Sequence, residues 1–249
     1  MRIHVLTLFP EMLAGPLEHS ILGRARASGR LEVIPHNLRD YAPGKHRVTD
    51  EPPYGGGPGM ILKAPPVFAA VEALRAAAER TLPLIALTAG GSPFTQARAA
   101  ELAARPEFIL LCGRYEGFDA RILDHLADEE LSIGDFILTG GELPALVVID
   151  AVARLLPGVL GDADSAASDS FSEPLLGYPQ YTRPAVFRGW ETPAVLRSGD
   201  HQRIARWRRE QALRRTLARR PDLFAQHRLS DEDREILGLA PPRRRRWSK

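Results

Sequence analysis

Short apolar runs recur through the first two-thirds of the chain and are separated by stretches of helical spacing. "RIHVLTLF", "LEVIPHNL", "LPLIALT", "FILLCG" and "DFILTG" have the length and aliphatic content of buried strands. Between them, "PPVFAAVEALRAAAER", "TQARAAELAAR" and "FDARILDHLAD" place apolar residues on one helical face, and another apolar helix opens at "GELP". This alternation predicts an α/β fold, a mostly parallel sheet covered by helices. "DEPPYGGGPGM", Asp50–Met60, is too rich in Gly and Pro for either element and predicts a long loop.

At Gly161 the pattern changes. Aliphatic residues vanish from "GDADSAASDSFSEP", which reads as a flexible linker. Beyond it, "DHQRIARWRREQALRRTLARRP" predicts a helix with Asp200 as N-cap and Pro221 as stop, and "SDEDREILGL" carries Ser230 and Asp233 at capping-box spacing. The expected organisation is a domain over 1–160, a linker over 161–173 and a small all-α domain over 174–249, ending in a disordered "PPRRRRWSK".

Charge sharpens that division. Residues 201–249 hold 15 Lys and Arg against 6 Asp and Glu, whereas the first 200 hold 18 against 25. A polyanionic partner such as RNA or DNA and a solvated Arg-rich surface account for the basic end about equally well. The lone Cys112 sits in an apolar run and reads as a buried hydrophobe in a reducing compartment. The N-terminus reads as a strand rather than a signal peptide, and no apolar span reaches membrane length, so a cytoplasmic protein is expected. The scattered His residues have no metal-ligand spacing.

The glycines narrow the chemistry. A Rossmann-type site needs glycines directly after the first strand, but "FPEML" follows it here; a P-loop ends in Lys and Ser or Thr, but "YGGGPGM" ends in Met. Glycine turns come late instead, at "LTAGGS", "LCGRYEGFD" and "LTGGELP". Each follows a strand candidate, so in a parallel sheet the three converge on one edge and form a ligand crevice.

"YGGGPGM", "CGRYEGFD", "SIGDFILTGGELP", "DAVARLLPGVLG" and "YPQYTRPAVF", in this order, resemble the bacterial tRNA (guanine-N1)-methyltransferase family of the trefoil-knotted SPOUT class. The resemblance extends from Met1 to about Phe224. It implies a deep trefoil knot and S-adenosyl-L-methionine as methyl donor. Gly113, Tyr115, Glu116 and Gly117 match one wall of the cofactor pocket. Ser132, Ile133, Gly134, Asp135, Phe136, Ile137, Leu138, Gly140, Gly141 and Pro144 match the other. Leu87 is matched too, although Ala89 and Gly90 stand where the family usually has Pro and Gln.

For the acceptor, the resemblance implies N1 of the guanosine at tRNA position 37, just 3′ of the anticodon. Asp169 corresponds to the general base, with Ser168 where relatives commonly have Glu. Arg154 corresponds to the group that stabilises charge on O6. From the residues alone, Asp169 reads as a solvated linker carboxylate and Arg154 as an i,i+4 partner of Asp150. Asp50 and Arg183 match positions near the anticodon stem-loop, and Arg203, Arg208 and Arg215 belong to an arginine cluster around Trp207 suited to phosphates. The family resemblance also implies a homodimer with the active site at the subunit interface, and it associates Mg2+ with transfer. Two other readings stand beside this one: a knotted methyltransferase acting on rRNA or another tRNA position, and a non-catalytic RNA-binding relative.

Overall fold

Alternate residues of the apolar runs point to opposite faces of one sheet, as period-2 geometry requires. In the computed structural model, which describes residues 1–78, 81–161 and 169–239, strands β1 (Arg2–Thr7), β2 (Glu32–Asn37), β5 (Leu84–Pro93), β6 (Glu107–Cys112) and β7 (Glu129–Ser132) form a five-stranded sheet of order β2-β1-β6-β5-β7. Every neighbouring pair is parallel. Ile3, Val5, Ile85, Phe108 and Leu110 face helices α1 (Glu11–Glu18), α2 (Ser20–Ala27), α4 (Gln96–Ala103) and α6 (Glu142–Ala153). Leu6, Leu84, Ala86, Ile109 and Leu111 face α3 (Ala64–Ala77) and α5 (Ala120–His125). Helices therefore cover both faces, which is why the strands read as unbroken apolar runs.

Three local expectations are corrected. "DFILTG" is not a strand: β7 is the less apolar "EELS" just before it, and Phe136, Ile137 and Leu138 are exposed. "LTAGGS" is not a turn: β5 continues to Pro93, with Leu87 and Ser92 both aligned to Leu131, so residues 88–91 loop out of the ladder. Gly91 permits this, because a Cβ there would lie 2.4 Å from the Leu131 amide nitrogen. Third, α1 and α2 lie where the periodicity predicted no element; Gly15, Pro16 and Gly23 mask their helical pattern. The Gly/Pro stretch does form a loop, closed at its base by the short antiparallel pair β3 (Asp50–Glu51) and β4 (Ile61–Leu62).

The chain divides into two compact units, Met1–Ala163 and Asp164–Lys249. The second contains the hairpin β8 (Val186–Phe187) and β9 (Trp190–Glu191) and helices α7 (His201–Arg219), α8 (Pro221–Gln226) and α9 (Asp231–Leu237). Asp200 caps α7 by accepting from the Arg203 amide. Pro221 does follow the end of α7, and it also opens α8, where its missing N–H costs nothing. Ser230 and Asp233 form the expected capping box. Most of the linker, residues 162–168, and the terminal "PPRRRRWSK" lie outside the described residues.

Leu175, Leu213 and Ile236 make the small core of this unit, and a polar cluster clamps α9 against α7. Arg209 donates to both oxygens of the buried Asp233 carboxylate at 2.7 and 3.0 Å, and His227 Nε2 lies 3.2 Å from Oδ2. Burial opposes the charge on Asp233, but the Arg209 guanidinium, the Ser230 amide and His227 outweigh it and hold the carboxyl well below the usual carboxylate range. A depressed folded-state pKa contributes stability that is fully present above the unfolded value of about 4 and is lost as pH falls through the folded value. Asp233→Asn is expected to lower the melting temperature of the full chain at neutral pH, with the gap to wild type closing as the medium turns strongly acidic. Melting scans over that range check it, and a gap independent of pH contradicts it.

Candidate active site

Parallel strands deliver their C-terminal ends to one edge, and the part of β5 where the ladder loops out (Leu87–Ala89) meets the loops after β6 and β7 there around a cleft of about 330 Å³. Of the fifteen residues matched to the cofactor pocket, all but Asp135 line it. One wall is the turn after β6, where Tyr115 (φ 61°) and Gly117 (φ 109°) hold the left-handed conformation. The Gly/Pro loop braces this turn from behind: Glu116 N donates to Met60 O and Leu62 N to Gly117 O, both at 3.0 Å. The opposite wall is the segment from Ser132 to Gly141, which leads from β7 into α6.

The two walls touch through bare backbone. Gly141 N donates to Gly113 O at 2.8 Å, and Arg114 and Gly140 form an antiparallel bridge. A Cβ on Gly141 would lie 2.6 Å from Cys112 Cα, and one on Gly140 would lie 2.3 Å from Arg114 Nε. Close approach of backbone requires glycine at 141, while a side chain at 140 would displace the Arg114 and Glu142 side chains.

Beneath this contact lies an ion pair that the sequence did not reveal. The Glu142 side chain is 1% exposed and that of Arg114 14%. Thr7 Oγ1, at the end of β1, donates to Glu142 Oε1 at 2.6 Å; Arg114 Nε donates to the same oxygen at 3.2 Å and its Nη2 lies 3.0 Å from Oε2. Arg114 Nη1 also donates to Thr139 O at 3.2 Å, and the guanidinium sits 4.4 Å from the Phe9 ring centre. One buried pair thus ties β1, the β6 turn and the start of α6 together. The available signal was an acidic residue opening a helix that is otherwise almost wholly apolar. Cys112 is fully buried alongside; burial and the neighbouring Glu142 push its thiol up, so it is a packing residue.

The donor set can be tested against the implied cofactor. Leu87, Ile133, Phe136, Ile137, Leu138 and Pro144 supply apolar surface, and the paired glycines expose peptide N–H and C=O groups suited to the edge of a base. Of the lining residues only Arg114 and Glu116 are charged, and Arg114 is committed to Glu142 and Thr139. The cleft therefore suits an uncharged adenosyl group without a phosphate, and S-adenosyl-L-methionine fits it. Among the described residues no group of three or more His, Cys, Asp or Glu is placed to hold a metal, so no residue set is assigned to Mg2+.

The remaining site candidates are not among these lining residues. Arg154 caps the C-terminus of α6, its amide donating to Asp150 O at 3.2 Å. Asp169 is exposed at the start of the described second unit, its carbonyl accepting from Ser172 Oγ at 2.9 Å. Asp50 pairs with Leu62 at the base of the Gly/Pro loop. Arg183, Arg203 and Arg208 are exposed, with the Arg208 guanidinium 4.8 Å from the Tyr178 ring centre. Arg215 is partly buried and donates to Gly177 O at 3.3 Å. Arg206, Arg209 and Arg214 are held by acidic residues of their own unit. Among the described residues no helix is long and apolar enough to cross a membrane.

A family model described as tRNA (Guanine-1)-methyltransferase TrmD matches residues 1–226. Among the most similar curated proteins is one from Moorella thermoacetica, 56% identical over 238 residues, covering 95% of each chain. Others are from Frankia alni, 55% identical over 95% of this chain and 90% of its own, and Dehalococcoides mccartyi, 54% identical over 95% and 96%. Each of the three is named tRNA (guanine-N(1)-)-methyltransferase.

Proposed function

The chain belongs to the tRNA (guanine-1)-methyltransferase family, and we propose that it methylates N1 of the guanosine immediately 3′ of the tRNA anticodon. The observation that carries this reading is the cleft at the C-terminal edge of the sheet, whose largely apolar lining, with Arg114 committed to Glu142 and Thr139, suits an adenosyl group. S-adenosyl-L-methionine, when bound, supplies an electrophilic methyl group on its sulfonium. On this reading the chain around the cleft is threaded into the trefoil knot of the class, and the glycine walls grip the nucleoside through their peptide groups.

Guanine N1 carries a proton and is a poor nucleophile until that proton leaves. The Asp169 carboxylate takes it, and the Arg154 guanidinium offsets the negative charge that develops on O6 as the ring deprotonates. The ring proton ends on Asp169 as N1 gains its methyl group. In this reading proton removal is set up only with the correct tRNA bound beside the base. Arg203 and Arg208 hold the anticodon stem-loop through its phosphates, assisted by Arg183 and Arg215, while Asp50 meets the same stem-loop as a hydrogen-bond acceptor.

A second copy completes the enzyme in this reading. Leu143 and Val147 lie one turn apart on α6 and are exposed, as is Met12 on α1. Such an apolar face on a core helix suits an isologous contact. Val147→Glu is expected to convert the dimer to a monomer by light scattering; a monomeric wild type removes the proposal. The acceptor is tested by labelled methyl transfer to unmodified tRNAs carrying guanosine or adenosine after the anticodon, followed by nucleoside analysis. Only the guanosine form is expected to yield N1-methylguanosine, and equal labelling of both overturns the assignment.

A further inference from the structure

The β8–β9 hairpin has no folding reason to carry its side chains. Its turn is tight, with Arg188 (φ 53°) and Gly189 (φ 82°) both left-handed as a two-residue hairpin turn requires. Strands this short cannot build a core of their own. Yet Phe187 is 54% and Trp190 70% exposed, and neither packs into the buried cluster of the second unit. The two rings lie 6.3 Å apart at 52°, and the Arg188 guanidinium sits 5.4 Å from the centre of the Phe187 ring. The hairpin thus presents two exposed aromatic rings with a cation at its tip.

The surrounding charge selects the occupant. Residues 177–219 contain ten Arg against three Asp or Glu; Arg206 and Arg209 are paired with Glu235 and Asp233 outside that stretch, and the remainder is still net basic. A second copy of this surface would meet like charge, whereas a polyanion with flat, apolar bases meets complementary chemistry in both respects. Aromatic faces interleaved with arginines grip unpaired nucleotides, the rings stacking on bases and the guanidinium groups meeting phosphates.

We propose that the hairpin is a base-stacking platform for unpaired nucleotides of the substrate tRNA, with Phe187 and Trp190 stacking on bases and Arg188 contacting a phosphate. This rests on tRNA being the substrate and adds a contact surface to that reading; it does not depend on which atom is methylated.

The test measures the affinity of the full chain for unmodified tRNA as a function of salt. Phe187→Ala and Trp190→Leu are each expected to weaken binding by about 5- to 100-fold. The slope of affinity against salt stays at the wild-type value, because stacking releases no counterions. Trp190→Phe, which keeps a ring, stays within about threefold of wild type. Arg188→Gln reduces the salt slope by about one phosphate contact. Wild-type affinity in both ring-removing variants overturns the proposal, as does equal weakening by Trp190→Leu and Trp190→Phe. A loss that tracks a change in oligomeric state points to a protein partner and overturns it too. Should Trp190→Leu fail to fold, Phe187→Ala and the Arg188→Gln slope decide. Product identity is read separately by nucleoside analysis, so a failure of the position assignment is not confused with a failure of the platform.

Discussion

Asp169→Asn should lower kcat for methyl transfer to tRNA by about 100- to 10,000-fold, the range by which a positioned general base accelerates proton removal. Asn keeps the size of the side chain but cannot accept the N1 proton, so the ring remains neutral and weakly nucleophilic. The cleft-lining residues all fall between Leu87 and Pro144, so calorimetric affinity for S-adenosyl-L-methionine should match wild type. Single-turnover transfer with both substrates saturating isolates the effect from tRNA binding. A variant that retains full activity would show that another group, or solvent, takes the proton, and Asp169 would lose its assigned role.

The second large effect is structural. Glu142→Ala removes the acceptor shared by Thr7 and Arg114 and leaves a largely buried guanidinium without its carboxylate. Breaking a buried pair by deleting one partner costs about 3–5 kcal/mol. In a chain of this size that corresponds to a fall in melting temperature on the order of 10 °C. Because Arg114 also donates to Thr139 in the wall of the cleft, S-adenosyl-L-methionine affinity should fall together with stability on the proposed reading. The double variant Glu142→Leu with Arg114→Met, which replaces the pair by apolar groups, should recover most of the stability while cofactor binding stays weak. A melting temperature within about 2 °C of wild type in Glu142→Ala would mean that the pair holds nothing together.

These two residues differ in how far the sequence exposed them. Asp169 stands in an acidic linker where nothing local separates a catalytic base from a solvated carboxylate. Only the order of the surrounding motifs, and their resemblance to a known family, singled it out. Glu142 lay inside a quoted motif, "GGELP", yet its partner Thr7 is 135 residues away, and no periodicity reports a contact of that range. "DFILTG" misled for a different reason. A short apolar run satisfies a strand pattern whether its side chains enter a core or line a cleft, and Phe136–Leu138 do the latter.

The sequence by itself determined the parallel alternation of strands and helices, the capping of α7 and α9 by Asp200 and Ser230, and the gathering of the "CGRYEGFD" and "LTGGELP" glycines at one sheet edge. Each depends on neighbours within a few residues, or on the rule that parallel strands share a direction. The tertiary structure alone decided that β5 runs on past its glycines, that β7 precedes the apolar run, and that a buried Thr–Glu–Arg contact pins the two walls of the cleft. Those features arise from close approach between segments distant along the chain. There a missing Cβ or a desolvated charge matters only because of what packs against it.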